Sequence, residues 1–181
     1  MPVTRSETSK VRHMVLPYCI GNGCDIGFGG DKIVKENCKG IDMKTPYGYT
    51  GQDKVDIPCD LRKEKLPVAD NHFDFVYSSH LVEDFPDTKA ILNDFCRVLK
   101  SGGNIITVVP DQPIYEAYCK QHGQYLNPHH VHANMGLNFL RNLMNEIAAE
   151  NKWTIQELFS SNCEIDYNVV LVHKITKQSA V

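Results

Sequence analysis

The sequence lacks the features that mark secreted, membrane-spanning and nucleic-acid-binding chains. Its seven cysteines include no C-x-x-C pair, and an odd number without framework spacing favours reduced thiols in the cytoplasm. No apolar run approaches the roughly 20 residues needed to span a bilayer, and residues 1–10 lack the apolar core of a signal peptide. The formal net charge is −3, and there is no long basic run of the kind that binds phosphates. We therefore expect a cytoplasmic protein with no nucleic-acid or membrane partner.

Internal repeats, low-complexity segments and interdomain linkers are also missing. The 181 residues, 42% hydrophobic and 23% charged, are those of an ordinary globular protein with one core. We expect one domain over residues 1–181, with residues 1–8 as a flexible tail. The composition says nothing about the oligomeric state.

A glycine-rich stretch, Gly23–Gly30, is the most informative part of the chain. It predicts a short strand, a glycine turn and then a short helix, where unpaired helix amides can hold the polar or anionic part of a nucleotide-like ligand. The stretch fails the dinucleotide pattern G-x-G-x-x-G, because Ile26 and Lys32 occupy the positions of the third glycine. A glycine turn of this kind can equally be a plain turn.

Strands alternate with helices along the chain. This order predicts an α/β fold: a mostly parallel sheet of seven or slightly fewer strands, with helices on both faces and an antiparallel C-terminal strand. The predicted strands cover residues 24–26, 38–43, 54–61, 73–77 and 104–109, followed by a hairpin of 153–160 and 167–175. The predicted helices cover 9–16, a segment capped by Asp87 and stopped by Gly102, and a segment capped by Asn134, with residues 111–133 as an insertion.

Polar side chains follow four of these strands. Asp25, Asp42, Asp60 and Ser78 each fall at a predicted strand end. Ligands of open α/β sheets bind beyond the carboxyl ends of the strands, so we expect a cleft there. Asp42 alone could accept hydrogen bonds from ribose hydroxyls or be a solvated turn residue.

Taken together, five segments carry a family resemblance. They are Asp25-Ile26-Gly27-Phe28-Gly29-Gly30, Gly40-Ile41-Asp42, Cys59-Asp60-Leu61, Leu66 through His80, and Arg97-Val98-Leu99-Lys100-Ser101-Gly102-Gly103. The chain resembles the class I S-adenosylmethionine-dependent methyltransferases, of type 11, over about residues 20–110. It looks most like small bacterial members that often accompany sugar-polymer enzymes. The resemblance implies a Rossmann-like fold, S-adenosylmethionine as cofactor, and a small-molecule or saccharide acceptor.

The resemblance also implies roles on the methionine side of the cofactor. Asp25 would lie near the amino group, and the turn of Gly27, Phe28 and Gly29 would hold the methionine part. Ser78, with the serine after it, would line the cleft near the sulfonium.

On the nucleoside side, Asp42 would take the ribose hydroxyls. Asp60 would accept a hydrogen bond from the adenine amino group, with Leu61 and Met43 packing near the ring. The region between the second and third strands is short, which leaves the adenine side thinly covered.

Two histidines are our candidates for acting on the acceptor. His80 follows the fourth strand, near where the methyl should point, and could be a general base or a neutral residue bonded to a loop carbonyl. Many relatives have Glu-His after this strand, whereas this chain has Glu83-Asp84, so a histidine on the acceptor side is missing.

The second candidate, His130, lies in the histidine-rich segment of residues 125–132. This segment could contact the acceptor or form a polar lid. A metal site of Cys119, His122, His130 and His132 is conceivable, but the spacing matches no structural zinc pattern and no metal is predicted. Tyr115 and Tyr118 are expected to pack on a short helix.

Three functions stay open on the sequence alone. The first is methyl transfer from S-adenosylmethionine to a small-molecule or saccharide acceptor. The second is a non-catalytic module that binds the cofactor. The third, a nicotinamide-dependent oxidoreductase, shares the sheet but lacks the glycine fingerprint.

Overall fold

A computed structural model describes residues 6–45 and 51–178 and contains a seven-stranded sheet of order β3-β2-β1-β4-β5-β7-β6. The strands are β1 (Gly23–Ile26), β2 (Cys38–Asp42), β3 (Ile57–Pro58), β4 (Phe73–Ser79), β5 (Leu99–Pro110), β6 (Thr154–Ile165) and β7 (Asn168–Thr176). The helices are α1 (Glu7–Val15), α2 (Thr88–Val98), α3 (Gln112–His122) and α4 (Leu137–Asn151).

Strands β1 to β5 pair in parallel, and β7 runs antiparallel to both of its neighbours, β5 and β6. The predicted fold class is therefore confirmed. The central strands β4 and β5 are buried on both faces, as their apolar sequences indicate.

Alternating side chains of β4 pack into two hydrophobic clusters, one on each face of the sheet. Phe75 and Tyr77 pack on one face with α1, through its buried Val11 and Val15. Val76 points to the other face, where α2 and α4 cover the sheet. Helices thus cover both faces of the sheet. This agrees with the geometry of a strand, in which successive side chains point to opposite faces.

The predicted helix boundaries were right at one end of α2 and wrong at the other. Asp87 caps α2 and accepts a hydrogen bond from the Ala90 amide at 3.0 Å. The helix ends at Val98, and the chain continues directly into β5, so Gly102 lies inside a strand instead of stopping a helix. The cap of α4 is Gly136, two residues after the predicted Asn134.

No helix follows the glycine turn, and the prediction of one was wrong. Residues 27–37 are turns and bends. The Asp25 carboxylate accepts a hydrogen bond from the Ile33 amide at 2.7 Å, which holds this crossover to the sheet. In the next crossover, Asp56 likewise accepts from the Gly40 amide at 2.8 Å. The β3 pairing is limited to two residues, far shorter than the predicted strand over 54–61.

The expectation of a flexible tail over residues 1–8 also changes. Glu7 and Thr8, assigned to the flexible tail, form the first turn of α1, while residues 1–5 lie outside the described part. The insertion contains α3, which carries Tyr115 and Tyr118 as expected.

No helix within residues 6–45 or 51–178 combines the length and apolar character needed to cross a bilayer. All seven cysteines are free thiols.

Candidate active site

A cavity of about 370 Å³ opens at the carboxyl ends of β1, β2 and β4, where an α/β sheet binds its ligands. Eight of the predicted site residues line it: Gly27, Phe28, Gly29, Asp42, Met43, Asp60, Leu61 and His80. Three do not: Asp25, Ser78 and His130. The cavity therefore brings together most of the residues predicted for the cofactor side and one of the two catalytic candidates, and their roles stay predictions.

Glycine is required in the turn after β1. Gly27 has a φ of +71°, and a Cβ there would lie 2.8 Å from the Leu81 side chain. Gly29 also has positive φ, at 56°. The turn can therefore pass close beneath a ligand only without side chains at these positions.

Asp42 ends β2 and faces the cavity with its oxygens already oriented. Oδ2 accepts from the Gly29 amide at 3.1 Å, and Oδ1 accepts from the Met43 amide at 2.7 Å. Burial raises the pKa of this carboxyl, although the two amides counteract the rise. Each carboxylate oxygen has a further lone pair, so the group can still accept two hydroxyl donors.

Asp60 lies on the predicted adenine side and is paired with a residue that the sequence reasoning missed. Arg62 Nε lies 2.8 Å from Asp60 Oδ1, and Arg62 Nη2 lies 2.9 Å from Met43 Sδ. Hydrogen bonds from the Arg62 guanidinium hold the pKa of Asp60 well below its usual range. The guanidinium thus joins Asp60 and Met43 across this end of the cavity.

Asp25 does not contact the cavity, contrary to the role implied by the resemblance. Its side chain is fully buried, and burial raises its pKa well above the usual value. Its one hydrogen bond, to the Ile33 amide, closes the loop that follows the glycine turn. Ser78 is similarly buried in β4, and the cavity is lined instead by its neighbour Ser79.

His80 lines the cavity, but its ring nitrogens point elsewhere. Nε2 lies 2.7 Å from Asn168 Oδ1, and Nδ1 lies 3.5 Å from Glu83 Oε1. Burial lowers the pKa of His80 and favours its neutral form. The role of general base stays a prediction. The alternative was a neutral residue bonded to a loop carbonyl, and the observed partner is instead the side-chain oxygen of Asn168.

The opposite wall of the cavity is polar and largely unpredicted. It includes Glu7 from α1, Asp84 and His129. Glu7 accepts from the Tyr167 hydroxyl at 3.0 Å and from the Asn168 side-chain amide at 3.1 Å. No local sequence signal could place Glu7 in the cavity, because Tyr167 and Asn168, which hold it there beside its local partner Lys10, lie about 160 residues away.

His130 lies behind this wall, and its side chain is only 5% exposed. The conceivable metal site of the histidine-rich segment is not assembled: His132 bonds to Phe85 O and Thr88, and His122 bonds to Tyr118 O. Within residues 6–45 and 51–178, ligand atoms converge at one other place, where those of Glu83, Asp84 and His130 all lie within 4.8 Å of one another.

Comparison with known proteins agrees with this geometry. Residues 24–107 match the family model described as a methyltransferase domain. The chain is 34% identical over 61 residues to the ubiquinone/menaquinone biosynthesis C-methyltransferase of Laribacter hongkongensis, covering 30% of this chain and 25% of that protein. It is 28% identical over 123 residues to the demethylmenaquinone methyltransferase of Listeria monocytogenes, covering 60% of this chain and 52% of that one.

Solved structures share the fold. A SAM-dependent methyltransferase from Archaeoglobus fulgidus superposes with a TM-score of 0.63 at 16% identity, covering 94% of this chain and 95% of that one. The chain spans about half or less of the two curated quinone methyltransferases it matches. Residues 24–107 therefore match a methyltransferase domain by sequence, and the chain shares its fold with solved SAM-dependent methyltransferases.

Proposed function

We propose that this chain transfers a methyl group from S-adenosylmethionine to a small polar acceptor. The observation that carries the proposal is one cavity with two chemically different ends. Gly27, Gly29 and Asp42 form one end, and Glu7, His80 and Asp84 line the other. The first end suits an adenosyl and amino-acid moiety, and the second suits a hydrogen-bonding acceptor.

The donor set fits the cofactor. Asp42 offers two oriented oxygens for a ribose diol, and the positive-φ glycine turn leaves room for the methionine part. Asp60 lines the cavity on the proposed adenine side, where Arg62 and Lys63 already donate to its two oxygens. Asp25 was predicted to contact the amino group of the cofactor. We assign it instead an indirect role, in which its hydrogen bond from the Ile33 amide holds the loop after the glycine turn in place.

The cofactor supplies an activated methyl group on a positively charged sulfur. A lone pair of the acceptor atom forms the new bond to the methyl carbon, and the electrons of the carbon–sulfur bond go to sulfur, giving S-adenosylhomocysteine. A proton on the acceptor atom leaves to solvent or to a nearby base. The chain's residues contribute by holding the two reactants in line, an effect that can supply roughly 7–11 kcal/mol.

Two acceptor classes follow from different observations. The polar wall favours a small hydroxyl-bearing molecule, including a saccharide, as the sequence predicts. The similarity to the two quinone methyltransferases, one of them named as a C-methyltransferase, favours a quinone ring with a carbon acceptor. We put the first class ahead, because Glu7, Asp84 and His129 line the cavity with polar groups that a hydroxyl-bearing acceptor can contact by hydrogen bonds.

Transfer of a radiolabelled methyl group tests the proposal. The purified chain is incubated with labelled S-adenosylmethionine and two panels of acceptors, one of hydroxylated small molecules and saccharides and one of demethylated quinones. Label in the first panel supports our assignment, and label only in the second replaces it with quinone methylation. Tight cofactor binding with no transfer to either panel would instead favour the non-catalytic module. Stabilisation by NAD and not by S-adenosylhomocysteine would favour the oxidoreductase.

A further inference from the structure

A buried carboxylate lies behind the polar wall without a hydrogen bond. Glu83 is 1% exposed, and neither of its oxygens has a hydrogen-bond partner. It lies in a single 3-10 turn, Val82–Asp84, that follows β4. A buried charge without compensation is costly and normally has an ion or a donor beside it. The neighbours of Glu83 decide which of these applies.

The hydrogen bonds of His80 turn a lone pair toward Glu83. The Asn168 amide donates from Nδ2 to Glu7, so its Oδ1 is the atom that faces His80 Nε2 at 2.7 Å. An oxygen acceptor there assigns the ring proton to Nε2. His80 Nδ1, 3.5 Å from Glu83 Oε1, then carries a lone pair and no proton.

His130 repeats this arrangement from the other side. Gln112 donates from Nε2 to Glu116 at 3.0 Å, which turns its Oε1 toward His130 Nδ1 at 2.8 Å. The ring proton of His130 is therefore on Nδ1, and its Nε2 lone pair lies 3.8 Å from Glu83 Oε1. When an imidazole binds a metal through one nitrogen, the N–H of its other nitrogen commonly donates a hydrogen bond to a nearby oxygen, as it does here.

We propose that Glu83, Asp84 and His130 bind a divalent transition-metal cation, with the His80 Nδ1 lone pair at its edge. Acceptor atoms converge on this point from several sides, and the ligand atoms of the three residues lie within 4.8 Å of one another. Two carboxylates with imidazole suit Mn²⁺ or Zn²⁺ better than Mg²⁺ or Ca²⁺, which prefer oxygen ligands alone.

The site opens toward the cleft on one side. Asp84 and His80 both line the cavity, whereas Glu83 and His130 lie behind them. Three protein ligands with an open side are typical of a catalytic metal centre and not of a closed structural one. Asp84 gives the cluster its second carboxylate.

If the proposed methyl transfer is correct, the cation would act on the acceptor. A divalent ion beside the polar wall lowers the pKa of a hydroxyl group close to it. The acceptor would then lose its proton more readily before its oxygen forms the bond to the methyl carbon. This part rests on the proposed function, but metal binding does not, and the two are measured separately.

Metal binding is tested on the full chain, stripped with a chelator and titrated calorimetrically with Mn²⁺ and then with Zn²⁺. We expect one equivalent to bind and to raise the midpoint of thermal unfolding. Glu83→Gln and Asp84→Asn should each weaken binding at least tenfold, and a folded Asp84→Asn protein keeps the test valid if Glu83→Gln does not fold. The matched control is His122→Asn, since His122 is exposed and lies outside the cluster, and its affinity should equal that of the parent.

No saturable binding by folded parent protein would overturn the proposal, and Glu83 would then share a proton with the two imidazoles. Equal affinities in the parent and both cluster variants would also overturn it. S-adenosylhomocysteine binding, measured on the same samples, separates the two proposals. Cofactor binding without metal binding removes only the cation site, whereas metal binding without cofactor binding removes the proposed function and leaves the site in place.

Discussion

Two aspartates at neighbouring strand ends have different environments. Asp42 lines the cavity with both oxygens fixed by backbone amides, whereas Asp25 is fully buried and bonds to the loop amide of Ile33. Their sequence contexts alone do not separate these roles, because each lies at or near the end of a short strand. Replacing each one should therefore change different properties of the protein.

Asp42→Ala should weaken S-adenosylhomocysteine binding at least tenfold and change the midpoint of thermal unfolding little. The reason is the loss of two oriented acceptors for the ribose, each hydrogen bond to a charged group being worth about 1.5–3 kcal/mol. Titration calorimetry measures the affinity. Asp70→Ala, at an exposed position outside the cavity, is the control, and equal affinities in the two variants would contradict the assignment of Asp42.

Asp25→Ala should lower the free energy of unfolding by about 1–3 kcal/mol, because it leaves the buried Ile33 amide without an acceptor. Asp25→Asn should restore much of this loss, since its amide oxygen can accept the same hydrogen bond. Urea unfolding of the three proteins measures the difference. Full stability of Asp25→Ala would show that the loop does not depend on this contact.

The site was predictable where it depends on strand ends and not where it depends on distant contacts. Asp42, Asp60 and the glycine turn each lie at or just after a predicted strand end, so their meeting at one edge could be expected. Glu7 reaches the cavity only because α1 packs across the sheet beside Tyr167 and Asn168. The side chains of Glu83 and His130 likewise meet from segments 47 residues apart.

At the scale of elements, side chains replace the helices missing from the early crossovers. The segment before β4 is fixed to α2 by Arg97, whose guanidinium donates to Leu66 O at 2.9 Å and Val68 O at 2.8 Å and pairs with Asp94. Asp94 in turn accepts from the Leu66 amide at 2.8 Å. Such contacts depend on the assembled fold, which explains why this crossover could not be predicted from local patterns.

Arg97→Met should lower the free energy of unfolding by about 2–3 kcal/mol, because it leaves partly buried carbonyls and the Asp94 carboxylate without their donor. The control is Arg141→Met, which removes the exposed pair with Glu157 and should cost less than about 1 kcal/mol. Denaturant unfolding of both variants measures the two losses. Equal losses would contradict the role given to Arg97.

His173 makes the central strand β7 sensitive to acid. Burial lowers its pKa to about 4, so the folded state holds it neutral while the unfolded state takes up a proton below about pH 6.5. Stability should therefore fall as the pH decreases from 6.5 through 4, by at most about 3 kcal/mol from this residue.

The comparison of His173→Leu with the parent isolates this effect. The variant should lose less unfolding free energy than the parent between pH 7 and pH 4. Glu157, 3.9 Å away, stays ionised over that range because its pKa is lowered to about 2. Parallel stability profiles in the two proteins would show that His173 does not carry the acid sensitivity.

Element prediction succeeded where apolar periodicity was strong. The cap of α2 at Asp87, the buried strand β5 and the closing hairpin follow directly from local patterns. Prediction failed at the end of α2, since Gly102 suggests a helix stop, yet the chain already pairs as a strand from Leu99. Tertiary pairing there overrides the local preference of glycine.

For the molecule as a whole, one cavity combines the proposed cofactor end, built on strands β1 and β2, with a proposed acceptor wall assembled from distant segments. The residues of the first end lie close together along the sequence, within the part that matches the methyltransferase-domain model. The second end joins α1, the turn after β4 and the histidine-rich segment. Because local patterns reveal only the first end, the sequence predicts the cofactor but does not predict the acceptor.

The most direct test of this account is equilibrium dialysis of the folded full chain against radiolabelled S-adenosylmethionine. We predict saturable binding of one equivalent per chain, displaced by S-adenosylhomocysteine and weakened at least tenfold in Asp42→Ala. No retained label above a protein-free control, with folded protein at saturating ligand, would contradict it.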